Sequence, residues 1–191
     1  MERSLRAPRD HRFAVEDPRE GRPPRAGLHD RSLMDLSIVI AAGNATTAIE
    51  ETFDSILSQS RTQWEAVVVC DGSRDDAESA IGRQVGHDQR FCVVAKSYVG
   101  VTEAWNLGLS AARGDWCLVL DAGDRLVPHC LEVLAAERVA RPFVDAIHFG
   151  SARVATDGTL VTEHYEPPTG DLFSLAARRA PFPVHACIVR T

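Results

Sequence analysis

Four short, almost continuous apolar runs punctuate this chain, at residues 36–42, 64–70, 91–95 and 116–120. Runs of that length and composition predict strands buried on both faces, as in a parallel sheet. Between them the period changes. Residues 44–59 carry Ile49, Phe53, Ile56 and Leu57 at the three- and four-residue spacing of a helix. Residues 74–84 predict a weaker helix ended by Gly86, and residues 101–112 a third, closed by Gly114 as a left-handed cap. A fourth helix follows Pro128 and carries Leu131, Val133 and Leu134 to about Ala140. Strands alternating with helices of this size predict an α/β fold, a mainly parallel sheet covered on both faces. Beyond residue 143 the alternation stops. Residues 144–154 and 159–164 flank Asp157-Gly158, a hairpin turn signal that predicts an antiparallel addition to the sheet near the C-terminus.

Residues 1–35 follow neither period. Pro8, Pro18, Pro23 and Pro24 interrupt any helix and apolar residues are too few to bury, so this segment is expected to be a disordered tail, with residues 36–191 as the folded domain. Its arginines alternate with Asp10, Glu16, Asp17, Glu20 and Asp30, which favours a solvated leader over a lipid- or partner-binding arm. It has no apolar core of the kind a secretory signal needs. The 45% hydrophobic content of 191 residues suits one globular core. A net charge of −6 argues against nucleic acid as a partner, because its backbone would be repelled. No run approaches the length of a membrane span, so a cytoplasmic location is expected and peripheral membrane association stays open. The five cysteines include no CxxC pair and three of them lie in apolar runs, which reads as buried thiols and not as a zinc site.

Candidate chemistry gathers where apolar runs meet carboxylates. Cys117-Leu118-Val119-Leu120 runs into Asp121-Ala122-Gly123-Asp124, and Val67-Val68-Val69-Cys70 into Asp71-Gly72-Ser73. Asp and Gly are ordinary turn residues, so each segment alone reads equally well as a strand ending in a solvated turn. Two of them favour a shared ligand, because open α/β sheets bind ligands outside the carboxyl ends of their strands.

These segments belong to a longer ordered pattern: Ser37-Ile38-Val39-Ile40, Asn44, then Glu51, Ser55 and Gln59 on the first helix, Cys70-Asp71-Gly72-Ser73, Gly100, Asn106, Gly108, Ala112-Arg113-Gly114, and Leu120-Asp121-Ala122-Gly123-Asp124 followed by Pro128. From Leu36 to Thr191 the pattern resembles the donor-binding half of family 2 glycosyltransferases. The resemblance implies a Rossmann-like GT-A fold that binds a nucleoside-diphosphate sugar. It also implies transfer of the sugar to an acceptor hydroxyl, carbohydrate or lipid-linked, with inversion. By the resemblance, Asp71 accepts a hydrogen bond from the base edge, a role that suits an ionised acceptor, and Asp121 opens the Asp-x-Asp motif at the ribose or the metal. Ala41, Asn44, Gly100, Asn106 and Ala122 fall within the implied donor site, and Asp124 with Asp121 would hold a divalent cation, Mn or Mg, through hard oxygen ligands.

The pattern departs from the family at three places. Gly123 occupies the third motif position, leaving Asp124 at the fourth; Ala41-Ala42-Gly43-Asn44 lacks the usual proline and aromatic residue; and Thr191 precedes the region where the family's Glu-Asp pair supplies the general base. No catalytic base is therefore assigned. Glu163, Glu166 and Asp171 read as surface carboxylates, and the chain as given is expected to bind donor yet transfer sugar poorly, with a non-catalytic or truncated nucleotide-sugar-binding module as the alternative. A nucleotidyltransferase is disfavoured because residues 41–47 form no Gly-rich basic loop. Of the scattered histidines only His185, in the segment leading toward the acceptor region, merits a test. Arg74, Arg113 and Arg125 could meet a diphosphate, although exposed salt bridges are the plainer reading.

Overall fold

The computed structural model describes residues 35–43, 48–70, 77–96, 100–164 and 184–191. Strands β1 (Leu36–Ala42), β2 (Trp64–Cys70), β3 (Phe91–Ala95) and β4 (Trp116–Asp121) form where the apolar runs predict them. Helices α1 (Ala48–Leu57), α2 (Ala77–Val85), α3 (Val101–Ala111) and α4 (Cys130–Ala140) alternate with them. Three short strands follow: β5 (Ala146–His148), β6 (Ser151–Val154) and β7 (Leu160–His164). A single 3-10 turn, Val184–Ala186, leads into the last strand, β8 (Cys187–Arg190). The main sheet has the order β3-β2-β1-β4-β8-β5; β1 to β4 are mutually parallel, and β8 runs antiparallel to both β4 and β5.

Residue alternation along the strands divides the core in two. Ile38, Ile40, Ala66, Val68, Leu118, Leu120 and Ile188 face α1, α2 and α4, meeting Phe53, Ile56, Ile81, Leu131 and Leu134. Val67 and Val69 face α3 through Ala104 and Leu107. Each large side chain so buried contributes about 1.5–3 kcal/mol relative to exposure, and Phe53, Phe91 and Trp64 add edge-to-face ring contacts at 5.4 and 5.5 Å. Both faces are thus covered, three helices on one and one on the other.

Two expectations need correction. The hairpin at Asp157-Gly158 forms, but β6 and β7 make a separate two-stranded sheet; the antiparallel addition to the main sheet comes from β8 and β5. β8 spans four residues and its partner β4 is far away in sequence, so no local period announces it. Gly114 is not a left-handed cap, since Gly123 and Gly158 are the glycines with positive φ among the described residues. Its small size serves close packing instead: a Cβ there would lie 2.8 Å from the backbone nitrogen of Ser37. Residues 1–34 of the tail, Asn44, Asp71, Ser73, Arg74, Glu166 and Asp171 lie outside the described residues.

Candidate functional site

The chain leaves β1 toward β2 and β3 on one side, then returns through α3 to place β4 on the other side of β1. The carboxyl ends of β1 and β4 therefore flank the topological switch point, where a crevice opens in sheets of this kind. Ala41 pairs directly with Asp121 across that point, and strand alternation points both side chains toward the α3 face.

Past Asp121 the chain makes a tight turn in which the Asp124 N–H donates to the Asp121 carbonyl at 3.0 Å. Gly123 occupies its third position with φ 107°, a conformation that disfavours any side chain. Glycine adopts such a φ without the strain that an aspartate would carry there. The turn brings the fourth-position carboxylate back: Asp124 Oδ2 accepts from the Asp121 N–H at 3.3 Å.

β8 delivers a third group. Its antiparallel register with β4 pairs Trp116 with Arg190, Cys117 with Val189 and Leu118 with Ile188; continued three steps, it sets His185 opposite Asp121. His185 Nδ1 lies 3.6 Å from Asp124 Oδ2, and ligand atoms of Asp121, Asp124 and His185 all fall within 4.8 Å of one another. Burial, then the neighbouring Asp124 charge, pushes the Asp121 carboxyl above its ordinary pKa, and His185 partly offsets this. Two half-buried carboxylates and an imidazole around one point form a donor set that fits a divalent cation such as Mn or Mg. His185 was singled out from sequence because it lies in the segment leading toward the acceptor region; the pairing of β8 with β4 puts it beside the carboxylates.

Helix α1 holds this turn from below. Thr52, wholly buried, accepts from the Gly123 N–H at 2.9 Å. Ser55 Oγ accepts from the Leu126 N–H at 3.1 Å and donates to the Thr52 carbonyl. Gln59 donates to the Val127 carbonyl at 2.9 Å and accepts from the Leu131 N–H at 3.1 Å. Ser55 and Gln59 belong to the pattern noted in the sequence; Thr52 does not. Its signal was a polar residue among Ile49, Phe53 and Ile56 on the buried stripe of an amphipathic helix.

The remaining candidates separate. Ala122 is half-buried in the turn against the core. Gly100 is the N-terminal residue before α3, with no side-chain cap, and Asn106 is exposed six residues further along; both share the α3 face with Asp121 but stand outside the cluster. Glu163 lies on β7, in the separate hairpin. Arg125 pairs with Glu51 at 3.3 Å on the surface. Arg113 serves the opposite edge of the sheet, where its N–H and guanidinium bind buried Glu65. A small cavity between Leu36, Arg61, Leu134 and Arg138 also lies at that amino edge; at about 10 Å³ it has room for about one water and none for a nucleotide. No helix among the described residues is long and apolar enough to cross a membrane.

Comparison with known proteins agrees with this architecture. The sequence is 29% identical over 145 residues to a chondroitin synthase of Pasteurella multocida, an alignment covering 76% of this chain and 15% of that protein. The fold superimposes on TarS 1–349 of S. aureus with TM-score 0.65 and 22% identity, over 82% of this chain and 47% of the other. It superimposes on the mannosyltransferase PcManGT of Pyrobaculum calidifontis, solved in complex with GDP-Man and Mn2+, with TM-score 0.54 and 25% identity, over 63% of this chain and 36% of the other. The chain thus spans less than half the length of each of these relatives. The fold is that of the GT-A glycosyltransferases, and the profile of Glycosyl transferase family 2 matches residues 37–187, which makes this chain a member of that family.

Proposed function

We propose that this chain is the donor-binding part of an enzyme that moves a sugar from a nucleoside-diphosphate sugar to an acceptor hydroxyl, with inversion and with help from a divalent cation. The observation that carries the reading is the convergence of Asp121, Asp124 and His185 at the switch point between β1 and β4. A diphosphate seated there would meet no arginine or lysine in the cluster, and two carboxylates would repel it. A shared Mn or Mg removes that repulsion and, when bound, neutralises the charge that develops on the departing diphosphate. The cation-bound GDP-Man complex of PcManGT supports this assignment.

The chain's own residues then have separable tasks. Asp124 and His185 hold the cation, Asp121 divides its carboxylate between the cation and the ribose, and Asp71 accepts from the base. Ala41, Asn44, Gly100, Asn106 and Ala122 complete the donor site. The positive φ of Gly123 speaks against a decayed remnant, because it turns the fourth-position aspartate into the cluster where the third is missing. Inversion requires the acceptor hydroxyl, carbohydrate or lipid-linked, to attack the anomeric carbon opposite the departing diphosphate, with a general base not assigned to any residue of this chain.

Calorimetry with UDP, GDP, dTDP and their sugars, with and without Mn2+, tests the reading. Binding strengthened by Mn2+ in the wild-type chain and indifferent to Mn2+ in Asp124→Asn is the expected result. Nucleotide binding of equal affinity in wild type, Asp71→Ala and Asp124→Asn would overturn it. The base preferred in that panel identifies the donor.

A further inference from the structure

We infer that Thr52 on α1 is a positioning residue for the cation site, acting through the Gly123 N–H to fix the angle at which Asp121 and Asp124 face one another. The inference rests on the cation reading above and assigns to α1 a part in it.

The argument begins with burial. Thr52 is wholly buried on the apolar stripe of α1, between Ile49, Phe53 and Ile56, where a valine of equal shape would pack as well. What the hydroxyl adds is an acceptor at 2.9 Å for the N–H of Gly123, the residue between the two carboxylates. Its other bond, to the Ala48 carbonyl, is long at 3.5 Å, so the turn provides the well-formed partner. Ala48 supplies the second wall: its Cβ lies 3.4 Å from where a Cβ on Gly123 would stand.

The rung does not stand alone. Thr52 and Ser55 lie three residues apart on α1 and Gln59 two residues past its end, and their backbone partners follow in the same order: Gly123, Leu126, then Val127 and Leu131. Helix and loop thus run side by side, bonded at each turn, from the carboxylates to the start of α4. Ser55 and Gln59 fix the loop's course. Thr52 sits at the end that carries the ligands, where the turn's only internal backbone bond among the described residues, Asp124 N–H to Asp121 carbonyl, gives the Gly123 N–H no partner within the turn. Removing the hydroxyl leaves that N–H without its partner, so the turn rotates to find water and the two carboxylates lose their common focus.

The test titrates Mn2+ into the full chain with saturating UDP, following free Mn2+ by electron paramagnetic resonance, and measures urea stability separately. Thr52→Val should bind Mn2+ about tenfold or more weakly, within the range of about 10–100-fold for outer contacts of metal ligands. Thr52→Ser should stay within about threefold of wild type. UDP affinity without Mn2+ should not change, and Ile56→Val, which loosens the same helix by trimming the core, should keep wild-type Mn2+ affinity. If Thr52→Val does not fold, Thr52→Cys replaces it, because a thiol keeps the shape and accepts poorly; it should bind Mn2+ distinctly more weakly than Thr52→Ser. Mn2+ affinity equal in the serine and the valine or cysteine variants would overturn the inference while leaving the cation reading intact. A wild-type chain that binds no Mn2+ would overturn both.

Discussion

At the amino edge of the sheet, Glu65 is buried and surrounded by donors: Ser37 Oγ at 2.6 Å, the Arg113 N–H at 2.6 Å and the Arg113 guanidinium at 2.8 and 2.9 Å. Ser37 in turn accepts from the Gly114 N–H. At the carboxyl edge, Asp121 and Asp124 are half-exposed, face each other, and have a long backbone bond and one imidazole for company. Both edges carry glycines and an arginine or histidine beside carboxylates, so composition does not distinguish them. Satisfaction does. A buried charge whose acceptor sites are filled ties β1, β2 and the end of α3 together, whereas like charges gathered with few donors remain free to bind something else.

The largest effect that would break this comparison lies at the amino edge. Glu65→Ala removes the common acceptor of Ser37 and Arg113 inside the core, and should lower unfolding free energy by about 3 kcal/mol or more, read by urea denaturation. Gly114→Ala drives a Cβ into the backbone of Leu36 and Ser37 and should cost about 1–3 kcal/mol. Mn2+ affinity of the folded chain should be unmoved in both. A metal defect without a stability defect would mean that the edges have been assigned the wrong way round.

At the carboxyl edge the balance reverses. Asp124→Asn should weaken Mn2+ binding by about 100-fold or more, beyond the range for outer contacts, while urea stability holds or rises slightly because a like charge facing Asp121 is gone. Gly123→Ala should show both effects, losing about 1–3 kcal/mol to its positive φ and loosening Mn2+ through the displaced turn. If Gly123→Ala cost stability alone, the turn would be a connector and the focus of the carboxylates would have another source.

How far the sequence discloses this contrast depends on whether a feature is local. β1, β2 and β3 begin and end where the apolar runs do, and β4 extends one residue further, to Asp121, because strands buried on both faces leave an uninterrupted local signature. Asp121 and Asp124 were legible for the same reason, as carboxylates ending such a run. His185 was visible as a residue but not in its place beside the carboxylates, which depends on β8 pairing with a strand some seventy positions earlier. Thr52 left one mark in the sequence, a polar residue on the apolar stripe of Ile49, Phe53 and Ile56, but its partner Gly123 is distant in the chain and no local pattern names it. Arg113 was weighed against a diphosphate because nothing in the order of residues tells which edge of the sheet the end of α3 reaches.

The smallest effect, and the one that discriminates best, is the response to pH. Burial, followed by the Asp124 charge, raises the Asp121 carboxyl above its ordinary value. In the metal-free chain the folded state therefore holds this proton more tightly than the unfolded one. The stability this supplies is fully present below the unfolded value of about 3.9 and is lost as pH rises through the folded value. Solvent reaches the group, so the loss should stay within about 1 kcal/mol. Asp121→Asn has no such proton to lose, and its stability relative to wild type should improve from about pH 3.5 toward neutrality and then level off. Saturating Mn2+ with UDP must reverse the slope in the wild-type chain, because a bound cation requires the ionised carboxylate and its stabilisation grows as the competing proton leaves. Melting curves between pH 4 and 7, with and without Mn2+ and UDP, read both slopes. A metal-free slope, taken relative to Asp121→Asn, of the same sign as the loaded one would mean that the fold already satisfies the Asp121 charge without a cation.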